Sequence, residues 1–97
     1  MSAIKTLACD VDGTLVINGR LNTRLVSYLK QKKTEGFMLY LWSMQGEAHA
    51  LQTATFWKVD HLFDIFISKP GYIADNEGWK WTATTHVIDR FNEPFPA

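Results

Sequence analysis

Hydrophobic positions fall along this chain in short blocks that alternate between a strand-like and a helix-like period. Ile4 to Val11 is a brief apolar run, which predicts a buried strand at the centre of a sheet. Leu15, Val16 and Ile17 precede Asn18-Gly19, and Arg20-Leu21 follows. Asn-Gly between such flanks predicts a hairpin over Thr14 to Leu21, because a type I′ turn needs positive φ at both central residues. Leu21, Leu25 and Leu29 then recur every four residues beside Val26, the stripe of an amphipathic helix capped by Asn22 or Thr23 and stopped at Gly36. Phe37 to Trp42 is apolar without alternation, as in a parallel strand covered on both faces.

Glu47 to Lys58 reads as a second helix with Ala48, Leu51 and Ala54 on its packing face, small enough to approach the sheet closely. Leu62 to Ser68 predicts a third strand, and Tyr72 to Asp75 a short fourth. Asn76 to Trp81 reads as loop, Thr82 to Phe91 as a terminal helix, and residues 93–97 as a tail. Strand, helix, strand, helix, strand in this order implies an α/β fold with a mainly parallel sheet flanked by helices, in one domain over residues 1–97.

Composition narrows the partners. Ten basic residues balance ten acidic ones, so no global field favours nucleic acid or an anionic membrane. Lys30, Lys32 and Lys33 sit where a helix dipole favours cations and read as a solvated helix end. The single cysteine, Cys9, has no internal partner, and no apolar stretch nears the roughly 20 residues of a membrane span. With no signal peptide visible, the expectation is a reduced, cytoplasmic protein.

Chemistry concentrates at the strand ends. Asp10 and Asp12 share one face of the first strand, and two like charges there require a cation nearby. Gly13 allows a sharp turn, after which its amide and that of Thr14 are expected to face an anion. Asp12, Ser43, Lys69 and Asp75 each fall at or just beyond a predicted strand C-terminus, where open α/β sheets gather their functional groups. Carboxylates, a cation and an anion cradle together suggest phosphoryl chemistry.

Asp10-Val11-Asp12-Gly13-Thr14 resembles the DxDGT signature of the haloacid dehalogenase-like (HAD) superfamily, most of whose members are magnesium-dependent phosphatases. Ser43, Lys69 and Asp75-Asn76 resemble its second, third and fourth signatures, so the likeness runs from Ile4 to about Asn76. It implies a minimal Rossmann-like core with the hairpin as flap. It also implies Asp10 as nucleophile of an aspartyl-phosphate intermediate and Asp12 as acid and base. Lys69 would be the fixed cation, and Gly13, Thr14, Ser43, Met44 and Lys69 the phosphate ligands. Mg²⁺ would sit on Asp10, Asp12 and Asp75, with the neutral Asn76 where the family usually has a second acid.

Two features depart from the family. Six residues from Lys69 to Asp75 leave no room for a crossover helix, so the third strand is expected to end low on the sheet, run irregularly or cross at an angle. No insertion is large enough for a cap domain, and an open site suits a bulky or macromolecular phosphorylated substrate. The leading expectation is a magnesium-dependent phosphohydrolase. The alternatives are a nucleic-acid 3′-end phosphatase, suggested by Ser43-Met44-Gln45, and a catalytically weak binding or regulatory protein. His49, His61 and His86 lack metal-ligand spacing and read as core or surface residues, and Trp79 and Trp81 as packing or interface. The surplus aromatic surface of Trp57, Trp79 and Trp81 suggests a homodimer.

Overall fold

The computed structural model describes residues 5–76. A three-stranded parallel sheet is formed by β1 (Thr6–Asp10), β4 (Met38–Ser43) and β5 (Ile65–Ser68), in the order β1-β4-β5. The hairpin strands β2 (Val16–Ile17) and β3 (Arg20–Leu21) pair separately and antiparallel. Two helices, α1 (Thr23–Thr34) and α2 (Glu47–Phe56), and a 3₁₀ turn at Asp60–Leu62 complete the described fold. No helix among these residues is long and apolar enough to cross a membrane.

Local sequence explains most elements. Asn18 and Gly19 have φ of 51° and 72°, the paired positive values of the type I′ turn. Asn22, rather than Thr23, caps α1: its side chain accepts from the Leu25 amide at 3.2 Å. The same fully buried residue donates its Nδ2 to the Thr14 carbonyl (3.1 Å) and its backbone N–H to the Leu15 carbonyl (2.8 Å). Asn22 therefore joins the start of α1 to the turn after β1. Leu25, Val26 and Leu29 face the core as their spacing predicts.

The strand with the longest apolar run takes the middle of the sheet. Leu39 and Leu41 of β4 are fully buried, while Tyr40 and Trp42 on the other face are half-buried. Truncating either leucine to alanine would cost about 2–5 kcal/mol. Among the described residues, β1 is thus an edge strand and not the central one expected.

The packing face of α2 also differs from the expected one. Ala50 and Ala54 are fully buried, whereas Ala48 and Leu51 are exposed. Close approach by small residues holds, but the face is rotated, because the helix packs its Ala50–Ala54 line onto β4 and β5. At the end of α1, Lys32 is buried and not solvated: its ammonium lies 5.3 and 5.1 Å from the ring centroids of Tyr28 and Phe37. Lys33 instead pairs with Asp64, whose carboxylate also accepts from the Leu39 amide at 2.8 Å.

The third strand begins at Ile65, not Leu62, because Leu62 closes the 3₁₀ turn and Phe63 packs into the core. Ser68 pairs with Ser43, so β5 ends level with β4 and not low on the sheet. What yields is the following segment: Tyr72 to Asp75 is irregular, not a strand, and Tyr72 is exposed. Six residues cannot return the chain to the other end of a parallel sheet, which normally takes a dozen or more. The expected loop beyond Asn76, the helix over Thr82 to Phe91 and the tail over 93–97, with Trp79, Trp81 and His86, lie outside the described residues.

Candidate active site

Parallel register is what assembles the site. Asp10 pairs with Trp42 and Ser43 with Ser68, so β1, β4 and β5 present their C-terminal ends side by side. An open cavity of about 220 Å³ lies there, lined by Asp10, Asp12, Ser43, Met44, Gln45 and Lys69. That is below the roughly 300–1,000 Å³ of ordinary small-molecule sites. It has room for a phosphoryl-sized group, with the rest of any ligand outside.

The turn after β1 is held by its own backbone. The Leu15 amide donates to the Asp10 carbonyl, and the Thr14 and Val16 amides both donate to the Val11 carbonyl. The Gly13 amide donates to the Val16 carbonyl at 2.8 Å, and Gly13 has a φ of 82° that favours glycine. The amides of Gly13 and Thr14 are therefore spent inside the turn, contrary to the expectation that they face an anion, and neither residue lines the cavity. Thr14 acts through its hydroxyl, a long 3.4 Å contact to Asp10 Oδ2.

Asp10 Oδ1 is 3.3 Å from the Lys69 Nζ. Each side chain is 31% exposed, so the pair is neither desolvated nor fully screened. The backbone of Lys69 is fixed by its N–H donating to the Ser43 carbonyl at 3.0 Å. Ser43 is buried, and its Oγ accepts from the Gln45 amide at 2.9 Å. Its own proton stays available for an oxygen in the cavity. Gly46, with φ of 104°, leads into α2, whose N-terminus has no side-chain cap. Uncapped amides at a helix start favour an anion nearby. Met44 stands 86% exposed at the cavity rim.

Asp12 is held from an unexpected side. Its Oδ2 accepts from Gln45 Nε2 at 2.9 Å and lies 2.9 Å from His49 Nε2. The sequence alone presents His49 as a core or surface residue and gives Gln45 no chemical role. The available signal was their place around the start of the helix after the second sheet strand, Gln45 just before it and His49 in its first turn. Only the β1–β4 register sets that turn against Asp12.

Cys9, one residue before Asp10, is no rival nucleophile. Burial pushes its thiol far above its ordinary pKa, and the Asp10 charge adds to this, against a smaller opposing effect of Lys69. Asp75, in the irregular segment, is exposed and does not line the cavity, and Asn76 follows it in a turn. Among the described residues, no three His, Cys, Asp or Glu side chains are grouped to hold a metal ion.

No protein-family model matches this chain, and no curated protein or solved structure does either. Fold and site together define its class coarsely: a small α/β protein with a carboxylate–lysine cavity at the C-terminal edge of a parallel sheet.

Proposed function

We propose that the chain is a phosphomonoester hydrolase of the haloacid dehalogenase-like kind, acting through an aspartyl-phosphate on Asp10. The observation that carries this reading is the Lys69–Asp10 contact of 3.3 Å in a cavity that Asp12 and Ser43 also line. A carboxylate oxygen of Asp10 attacks phosphorus as the ester oxygen leaves, and Asp12 gives that oxygen its proton. Water then attacks the aspartyl-phosphate, Asp12 takes a proton from it, and inorganic phosphate is released. Lys69 and the Ser43 hydroxyl meet the negative charge on the transferring oxygens.

Magnesium fits the oxygen-only donors present. Mg²⁺ usually takes one or two carboxylates and keeps several waters; the Asp10 carboxylate and the main-chain carbonyl of Asp12 would hold it, which leaves the Asp12 side chain for proton transfer. Asp75 and Asn76 would contribute only if their segment approaches the cavity. When bound, the ion would offset negative charge between substrate and carboxylates.

The small open cavity favours substrates whose phosphate enters while a bulky remainder stays outside, which includes nucleic-acid 3′-phosphates. Balanced charge and the structural roles of Lys32 and Lys33 argue against nucleic acid as the principal partner. The position of Asp75 outside the cavity lining favours a second reading, a phosphate-binding or regulatory protein with little turnover.

The test is hydrolysis of p-nitrophenyl phosphate, sugar phosphates, phosphopeptides and 3′-phosphorylated oligonucleotides with magnesium, wild type beside Asp10→Asn. Turnover abolished by that substitution, with acid-stable labelling of the wild type by ³²P, supports the enzyme. Phosphate binding without turnover supports the second reading.

A further inference from the structure

We infer that His49 and Gln45 are positioning residues that clamp one oxygen of Asp12 and thereby assign proton transfer to the other. The inference rests on the phosphohydrolase reading and adds to it two residues and a division of labour within one carboxylate.

The Asp12 side chain is 58% exposed, and a carboxylate that open normally samples several rotamers. An acid–base group needs the opposite, a geometry held within about 0.5 Å. Asp12 Oδ2 carries both 2.9 Å contacts, to Gln45 Nε2 and His49 Nε2, whereas no described side chain or amide bonds to Oδ1. An amide nitrogen can only donate, and against an ionised carboxylate the imidazole nitrogen must donate too. With His49 in its Nε2–H tautomer, two donors on Oδ2 leave no acceptor there for a proton on that oxygen in either state of Asp12. When Asp12 is protonated the proton sits on Oδ1, and Oδ2 accepts as a carbonyl oxygen. When Asp12 is ionised, Oδ2 still accepts and Oδ1 is free to take a proton from water. The clamp is the same in both half-reactions.

The clamp is anchored as well as donated. Gln45 immediately precedes Gly46, the N-cap of α2, and His49 lies in the first turn of that helix. The half-buried His49 adjoins Ala50, which is fully buried where α2 packs onto β4 and β5. The Gln45 backbone is tied by its amide to Ser43 Oγ. The position of Asp12 is thus referred back to the sheet that also carries Asp10 and Ser43.

The experiment compares wild type, Asp10→Asn, His49→Ala, His49→Gln and Gln45→Glu on p-nitrophenyl phosphate and on phenyl phosphate, a poorer leaving group, in magnesium buffer. His49→Ala and Gln45→Glu are expected to lower kcat on phenyl phosphate by roughly 10- to 100-fold, as for a misplaced catalytic group. KM should stay within about twofold, and the burst of nitrophenol that reports phosphorylation of the protein should be less affected. His49→Gln, which keeps a donor, should recover most of the loss, and all variants should melt as folded proteins. An unchanged kcat, a change confined to KM, or no recovery by His49→Gln overturns the clamp while Asp10-dependent turnover leaves the phosphohydrolase reading intact. A wild type without Asp10-dependent turnover overturns both.

Discussion

The Lys69 ammonium lies 3.3 Å from Oδ1 of Asp10, while the Lys69 backbone is bonded to Ser43 on the neighbouring strand. The contact is long for a charge-assisted hydrogen bond, and both groups keep about a third of their surface in water. Such a pair adds little to stability, about 0–1 kcal/mol. It leaves the ammonium able to turn toward an incoming anion. Lys69→Met is therefore expected to lower kcat/KM by roughly 10²–10³-fold. Thermal melting should show its Tm barely moved, and a large fall in Tm would make Lys69 structural.

Asp12→Asn removes the proposed proton carrier but keeps an oxygen for Gln45 and His49 to address. Turnover should fall by roughly 10²–10⁴-fold, the usual cost of losing an acid–base group. Rapid-quench measurements should find phosphorylated protein accumulating on activated aryl phosphates. Wild-type turnover in this variant would remove Asp12 from the chemistry.

Asn22 makes four hydrogen bonds in a fully buried position, two at the start of α1 and two to the turn after β1. Asn22→Ala loses a helix cap and strands the Thr14 carbonyl, so a loss of about 1–3 kcal/mol is expected from urea unfolding. Asn22→Asp retains the cap acceptor but not the donor to Thr14, and should fall between the two.

Asp64 predicts a pH dependence. The Leu39 amide, followed by Lys33, holds its carboxyl below the ordinary aspartate range. A carboxyl depressed on folding stabilises the protein above its unfolded pKa of about 4, and that contribution is lost as pH falls through the folded value. Asp64→Asn should therefore be less stable than wild type at pH 7. The gap in urea midpoint should close as pH drops below about 4, and a gap constant with pH would refute the linkage.

Among the described residues, self-association is expected to rest on α2 rather than on Trp57. Trp57 is half-buried against the core, with Phe56 edge-on to its ring at 5.2 Å. Leu51 and Phe56 of α2 are exposed and offer apolar surface instead. If a dimer forms, sedimentation equilibrium at micromolar concentration should show it weakened by Phe56→Ser. A monomeric wild type would remove the proposed dimer.

Much of the local structure was legible in the residues themselves. The Asn18-Gly19 turn, the Asn22 cap, the Leu25–Leu29 stripe and the apolar β4 run depend on interactions within a few positions. The order of strands and helices likewise implied an α/β arrangement with Asp12, Ser43 and Lys69 beyond strand ends. Tertiary structure decided what depends on neighbours distant in sequence. Strand order put β4 and not β1 in the middle, and the short path beyond Lys69 left Tyr72 to Asp75 outside the sheet. Backbone bonding inside the turn consumed the Gly13 and Thr14 amides that seemed free on paper. Above all, the β1–β4 register brought Gln45 and His49, more than thirty residues away, onto a single oxygen of Asp12. Local periodicity carries no record of such a contact, because a parallel register is set by the packing of whole strands.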